Sequence, residues 1–254
     1  MKFDLENKVT LITGASRGIG SAIAKLFAES GAKVVVHYQK NSTMAEKTLS
    51  ELKGDCHMLY QADIADPSAV EEMTGDIINK MGEIQILVNN AGIYEEIPII
   101  DLSYEEWLDK WRRTIDINLI GAANTIFCAA KHMIKNRGGK IINITSRGAF
   151  RGEPEASYYG ASKAGLNSLS QSMAKALAPY GISVFAVAPG FVNTDMVTHI
   201  MESEQGKEIC AQSPLNRIAE PGEIANTVAF LASDNTEFLT GSIVDVNGAS
   251  YLRS

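Results

Sequence analysis

Short, almost wholly apolar runs alternate along the chain with longer stretches in which apolar residues recur at every third or fourth position. Lys8-Val-Thr-Leu-Ile12 predicts a buried strand, and Ser21-Ala-Ile-Ala-Lys-Leu-Phe-Ala28 predicts a helix packed through one face. The alternation continues with a strand over Gly31-Ala-Lys-Val-Val-Val36, a helix over 42–53, a strand over Cys56-His-Met-Leu-Tyr60, a helix over 67–81 and a strand over Gln85-Ile-Leu-Val88. Ser103-Tyr-Glu-Glu106 has the spacing of a capping box, and the helix it opens is expected to run unbroken to about Lys135. A strand over Lys140-Ile-Ile-Asn-Ile-Thr145, a long helix from Ser157 to about Ala178, a helix opened by Pro221 and running through Ala232, and a last strand, Ile243-Val-Asp-Val246, complete the pattern. Alternation of this kind predicts an α/β fold: a doubly wound parallel sheet of about seven strands with helices on both faces and ligands at the carboxyl ends of the strands.

Composition narrows the function classes. The 254 residues show no shift that would divide them, so one domain is expected; they are 45% hydrophobic and 21% charged, an ordinary globular balance. A net charge of −7 argues against nucleic acid as a partner, which would need a basic face. The polar start, Met1 to Lys8, does not read as a signal peptide, and no apolar run is long enough to span a membrane, so a cytoplasmic protein is expected. Cys56, Cys128 and Cys210 are too scattered for a disulfide framework, and His37, His57, His132 and His199 lack metal-ligand spacing, so no metal is expected.

The first strand leads into Thr13-Gly-Ala-Ser-Arg-Gly-Ile-Gly20 and then a helix. Gly14, Gly18 and Gly20 permit a tight turn and close backbone approach, and the helix start offers free N–H groups to a pyrophosphate. The same residues also fit a hydrolase nucleophile elbow, Gly14-Ala-Ser16-Arg-Gly18, for which His199 is the formal base. At the tip of the second strand, Tyr38, Gln39 and Lys40 stand where an acid would bind a ribose 2′-hydroxyl, and Arg17 is within sequence reach of a phosphate. That favours NADP(H), with NAD(H) the alternative. Asp63 follows the third strand and Asn89-Asn90-Ala91-Gly92 the fourth, both at carboxyl ends.

Tyr159 and Lys163 are four apart on a predicted helix and so share a face. A free phenol is too weak an acid for neutral pH, and a neighbouring ammonium would favour the phenolate. Ser146, just after an apolar strand, is placed to hold the reacting oxygen. The plainer reading is an exposed helix start. Asn118 interrupts the apolar face of the long helix and needs buried partners, a water or the backbone near Lys163.

Taken in order, Thr13 to Gly20, Asp63, Asn89 to Gly92, Asn118, Ser146, Tyr159-x-x-x-Lys163 and Pro189-Gly-Phe-Val-Asn-Thr194 resemble the short-chain dehydrogenase/reductase family across nearly the whole chain. The resemblance implies a single-domain Rossmann fold and an oxidoreductase. It makes Tyr159 the general acid, Ser146 a donor to the substrate oxygen, Lys163 both a modulator of the tyrosine and a ribose ligand, and Asn118 the anchor of a relay water. It gives the cofactor pyrophosphate to Gly14, Ser16, Arg17, Gly18, Ile19 and Gly20, the adenine to Asp63 and Ile64, its ribose to Asn90, Ala91 and Gly92, and the carboxamide to Pro189, Gly190, Val192 and Thr194. Asn247-Gly248-Ala249 stands where the family more often has Asp-Gly-Gly.

Within the family the chain is most similar to 3-oxoacyl-[acyl-carrier-protein] reductases. An acidic carrier protein would need basic residues at the active-site mouth: Arg137 matches one such position, Tyr180 replaces the other, and Arg147 or Arg151 would compensate or bind an anionic substrate, unless Glu153 neutralises Arg151. A dehydrogenase of a sugar, polyol, steroid or other small alcohol, glucose 1-dehydrogenase-like, and a non-catalytic dinucleotide sensor are the alternatives. The polar segment 194–213 suits a lid. The two long helices suit a subunit interface, so a homo-oligomer, a tetramer, is expected.

Overall fold

A computed structural model of the chain describes residues 3–194 and 203–253. Seven parallel strands lie in the order β3-β2-β1-β4-β5-β6-β7: β1 Val9–Ile12, β2 Lys33–Tyr38, β3 Met58–Gln61, β4 Ile86–Asn89, β5 Gly139–Ile144, β6 Ile182–Pro189 and β7 Ile243–Val246. Successive strand residues point to opposite faces, and both faces are covered, which is why the strands read as continuous apolar runs. On one face Ile12, Val34, Val36, Val88 and Ile142 pack with Ile23 and Phe27 of α1 (Gly18–Glu29) and with the helix Pro221–Ala232. On the other, Leu11, Val35, Leu87 and Ile141 pack with α3 (Pro67–Met81), α5 (Ala122–Asn136) and α7 (Ser157–Leu177). The strand order reverses between β1 and β4, and the loops after these strands part at that point.

Buried polar groups fix the middle of the second face. Thr125 of α5 donates to Asn89 Oδ1 (2.6 Å), Asn89 donates to Asn143 Oδ1 (2.9 Å), and Asn143 donates to Ser170 of α7 (2.8 Å). This chain of satisfied groups ties β4 and β5 to both helices, so Asn89 belongs to the scaffold.

Several predicted boundaries move. β2 extends to Tyr38, so His37 and Tyr38 are buried strand residues. The helix 42–53 is shorter, α2 Ser42–Ser50. The largest difference lies in the helix expected from Ser103 to Lys135. It is α4 (Tyr104–Ile115), a π-helical turn over Asp116–Gly121, and then α5. The wider turn follows from two local contacts. Asn118 is drawn onto the chain after β4, and Gly121 lies so close to Ile64 that a Cβ there would sit 2.9 Å from its carbonyl oxygen. The expected lid is partly regular: Glu204–Ala211 is a helix whose N-cap, Ser203, accepts from Gly206 N–H (3.3 Å). Positions 195–202 of that lid, with His199, lie outside the described residues. Among the described residues no helix is long and apolar enough to cross a membrane.

Candidate active site

A cleft of about 490 Å³ opens at the carboxyl ends of the strands. It brings together Ser146, Tyr159 and Lys163 with all but one of the positions read from the sequence as dinucleotide contacts. Gly20 is the exception and stands behind the wall: a Cβ there would lie 2.5 Å from both Asn90 Nδ2 and Gly14 O, so its role is close packing of helix on loop. Asn118 also lies behind the wall.

The glycine loop is held against the chain after β4. Thr13 Oγ1 accepts from the N–H groups of Asn90 and Ala91 (3.1 Å each), and Asn90 Nδ2 donates to Thr13 O (3.0 Å) and Gly14 O (2.9 Å). Gly14 has φ +62° and Gly18 φ +56°, and a Cβ on Gly14 would be 2.8 Å from Ala91 Cα. The left-handed backbone and the close approach to Ala91 both call for glycine, and the turn they form leads into the N-terminus of α1, which fits the pyrophosphate of a dinucleotide. At the tip of β2, Arg17, Gln39 and Lys40 are exposed and, among the described residues, Arg17 and Lys40 form no ion pair. Tyr38 is only 9% exposed and packs into the core, while bordering the cleft at the position where an acid would bind a ribose 2′-hydroxyl. The hydrolase reading finds little support. His37 spends both ring nitrogens on backbone groups of Gly14 and Ala62, and His199 lies outside the described residues.

At the other end of the cleft, the first turns of α7 set Tyr159 and Lys163. Tyr158 is buried against Trp107 and Trp111 of α4 and donates to Glu95 O (3.1 Å). With Tyr158 anchored there, Tyr159 is turned round the helix into the cleft, where its ring meets Tyr94 edge-on at 4.7 Å. Lys163 is 4% exposed, donates to Ile144 O (2.8 Å), and lies 5.8 Å from the centre of the Tyr159 ring. Gly92 makes room for it: a Cβ there would be 3.4 Å from Lys163 Nζ. Ser146 Oγ accepts from Gly148 N–H (3.0 Å) and favours the Tyr159 phenolate by hydrogen bonding.

The expected lowering of the tyrosine by Lys163 is not what these groups produce among themselves. Burial pushes the Tyr159 phenol up to about 12, Ser146 opposing and the Glu153 charge adding to the rise. Burial also brings Lys163 down to about 8. Both groups lose water, and desolvation disfavours the charged form of each.

Asn118, 1% exposed, accepts from Ile93 N–H (2.8 Å) and donates to Ile93 O (3.0 Å) and Ser162 Oγ (3.1 Å). The partners are the backbone after Gly92 and the residue before Lys163, so its amide braces the floor under Lys163.

The basic residues sort differently from expectation. Arg147 is 3% exposed: it donates to Gln212 Oε1 (2.6 Å) and Ser250 Oγ and lies over the Phe191 ring at 4.8 Å. It ties the Ser146 loop to the helix Glu204–Ala211 and the C-terminal turn, and it borders the cleft as a nearly buried side chain and not as an exposed charge. Burial, with Arg151 nearby, brings its guanidinium down to about 10. Arg151 pairs with Glu153 (3.3 Å), the neutralising partner considered from the sequence. Arg137 and Tyr180 lie together just before β5 and β6, at the amino edge of the sheet, because α5 runs antiparallel to the strand it precedes; within one chain Arg137 is at the edge opposite the cleft. Sequence reasoning missed Tyr94 and His37. Tyr94 is legible from its place two residues after Gly92; His37 carried no signal beyond falling at a strand tip.

Residues 14–249 match the family model described as Enoyl-(Acyl carrier protein) reductase. The 3-oxoacyl-[acyl-carrier-protein] reductase FabG of Staphylococcus epidermidis is 41% identical over 248 residues, 97% of this chain and 100% of that one. The 3-oxoacyl-[acyl-carrier-protein] reductase of Synechocystis is 38% identical over 98% of each chain. Among solved structures, gox2181 superposes with a TM-score of 0.90 at 31% identity, over 97% of this chain and 96% of its own. The chain therefore belongs to the short-chain dehydrogenase/reductase family, the NAD(P)-dependent oxidoreductases acting on CH–OH groups.

Proposed function

We propose that the protein is an NADPH-dependent, cytoplasmic reductase of 3-oxoacyl thioesters, with the acyl chain carried on acyl carrier protein. The observation that carries this reading is the meeting, in one cleft, of a buried Tyr159, Ser146 and Lys163 with a glycine cradle whose strand-two tip is acid-free and holds Arg17 and Lys40. The full-length likeness to reductases of that substrate class supports it.

A bound dihydronicotinamide would supply hydride to the carbonyl carbon. Ser146 donates a hydrogen bond to the carbonyl oxygen, and Tyr159 gives that oxygen its proton where negative charge develops. A phenol held up near 12 is fully protonated at neutral pH, the form that reduction requires. Lys163, charged below about 8, steadies the phenolate that the proton transfer leaves. Asn118 holds the loop and helix that orient Lys163. Ser16, Gly18 and Ile19 would hold the pyrophosphate, Asp63 and Ile64 the adenine, Asn90 and Ala91 its ribose, and Gly190, Val192 and Thr194 the carboxamide.

Mixing the purified protein with NADPH and acetoacetyl thioester, on coenzyme A and on carrier protein, should consume the nicotinamide absorbance. No loss with either thioester would refute the assignment. A second reading, reduction of a free small carbonyl compound, is favoured by the placement of Arg137 away from the cleft; faster turnover of sugars or ketones than of either thioester would select it. A homo-oligomer belongs to the same proposal, since Ile120 and Phe127, a helical repeat apart, are exposed at 43% and 64%. Light scattering giving a monomer mass at micromolar concentration would remove it.

A further inference from the structure

We propose that His37 is a positioning residue for the dinucleotide, its two ring nitrogens holding the glycine loop and the end of β3 at a fixed separation. The inference rests on the dinucleotide reading above and concerns how the chain itself shapes that site.

β2 lies between β1 and β3, so a side chain at its carboxyl tip can reach the loops after both. His37 does so. Gly14 N–H donates to Nδ1 (3.1 Å), and Nε2 pairs with Ala62 O (3.1 Å). An amide N–H can only donate and a carbonyl only accept, so Nδ1 must be bare and Nε2 must carry the proton; one neutral tautomer satisfies both contacts. Burial, 2% exposure, holds the imidazole down to about 4, which keeps it neutral across the physiological range.

The backbone runs in parallel with the side chain. Ala15 N–H donates to His37 O (2.8 Å), and Ala62 N–H donates to Tyr38 O (3.1 Å). These bonds fix the strands; the ring fixes what comes after them. Gly14 is the first glycine of the cradle, and Ala62 directly precedes Asp63. Gly14 also lies hard against Ala91, so a shift at the histidine would reach the chain after β4 too. None of this touches Ser146, Tyr159 or Lys163. The role therefore belongs to cofactor binding, not to proton transfer.

The imidazole can be replaced one half at a time. In His37→Asn the amide oxygen falls where Nδ1 was and still accepts from Gly14. In His37→Gln the longer side chain puts its NH₂ where Nε2–H was and still donates to Ala62, while Gly14 loses its acceptor. His37→Leu removes both. The experiment measures NADPH and NADH dissociation constants by cofactor fluorescence on the purified wild-type protein and the three variants, followed by KM and kcat with the best carbonyl substrate. His37→Leu, which unpairs both backbone groups, weakens NADPH binding by about tenfold or more, and His37→Asn and His37→Gln, each of which unpairs one of them, fall between it and wild type. KM for NADPH follows the same order with kcat nearly constant. ¹⁵N spectra of the wild-type protein without cofactor show a bare Nδ1 and a coupling between it and the Gly14 amide.

Equal affinity in all four proteins, an equal loss in Asn and Leu variants, or a fall in kcat at unchanged affinity overturns the proposal while leaving the dinucleotide reading intact. If wild type binds neither NADPH nor NADH, the dinucleotide reading falls and takes this proposal with it. Should the variants not fold, the spectra decide: a protonated Nδ1, or no coupling to Gly14, overturns it.

Discussion

Replacing Asn118 by leucine tests whether the π-helical turn exists to brace the active site. The side chain is 1% exposed and satisfies three groups: the N–H and C=O of Ile93 and the hydroxyl of Ser162. Ser162 keeps an alternative, since it also donates to Tyr159 O at 2.7 Å. Ile93 loses the amide that served both of its backbone groups, which are partly buried at the edge of the cleft, and each such group left unpaired costs about 2 kcal/mol. Leucine's apolar surface returns roughly 1.5–3 kcal/mol. The balance is a loss on the order of 2 kcal/mol, or a drop in Tm of roughly 4–8 °C for a domain of this size. Activity should fall by more than stability does. The freed chain after Gly92 borders Lys163, whose Nζ a Cβ on Gly92 would approach to 3.4 Å, so a shift of a few tenths of an ångström reaches the lysine. Thermal unfolding gives the first quantity and kcat at saturating NADPH, well below the Tm, the second; hydrogen exchange should quicken at Ile93 and not at β1. An Asn118→Leu protein as stable and as active as wild type would mean that the amide braces nothing, and the account of the π turn would fail.

Tyr159→Phe should abolish turnover, by at least about a thousandfold, consistent with loss of a general acid, while NADPH affinity measured by fluorescence stays nearly unchanged; residual turnover within tenfold of wild type would overturn the assignment. The reduction rate should be level through neutral pH and decline as pH rises through about 8, because Lys163 loses its proton there before Tyr159, held near 12, loses its own; a pH–rate profile that rises across that range would contradict the order of the two groups. Lys40→Glu should raise KM for NADPH by about tenfold or more and lower it for NADH, since an acid at the strand-two tip repels a 2′-phosphate and accepts from a 2′-hydroxyl; steady-state kinetics with both cofactors decide. Ala249 holds φ +58°, in the left-handed region, so Ala249→Gly should stabilise the fold by about 1 kcal/mol, or a Tm higher by roughly 2–4 °C; an unchanged or lower Tm would show that no strain is stored there.

What could be read from the sequence divides along physical lines. The strands were legible because a sheet covered on both faces demands unbroken Val and Ile runs, and the βα order dictates which loops meet. The meeting of Tyr159 and Lys163 was legible because it depends on a spacing within one helix. The π turn was not. It inserts a residue without disturbing the apolar face on either side, so the pattern from Ser103 to Lys135 reads as one helix; only the approach of Ile64 and Ile93, distant in sequence, widens it. His37 failed for a related reason: its meaning comes from two loops that β2 happens to separate, and a lone histidine in a strand carries no trace of them. Tyr159 itself was legible as a residue and misjudged as a titrating group, because spacing reports the neighbouring charge and says nothing of the water that burial removes.

Arg147 shows the same limit at the substrate end and bears on how the site works. A basic residue beside Ser146 invites the reading of a docking or anion-binding charge, yet Nη1 donates to Ser250, Nη2 donates to Gln212 and its face lies over Phe191. A guanidinium buried among neutral partners is a costly group to keep for stability alone. Its partners come from three separate stretches: the end of the helix Glu204–Ala211, the turn after β7, and the loop after β6 that also borders the cleft. Holding them to the residue next to Ser146 ties the segments on this side of the cleft to one another. The arginine also borders the cleft, so it is at once the fastening of these stretches and part of the wall.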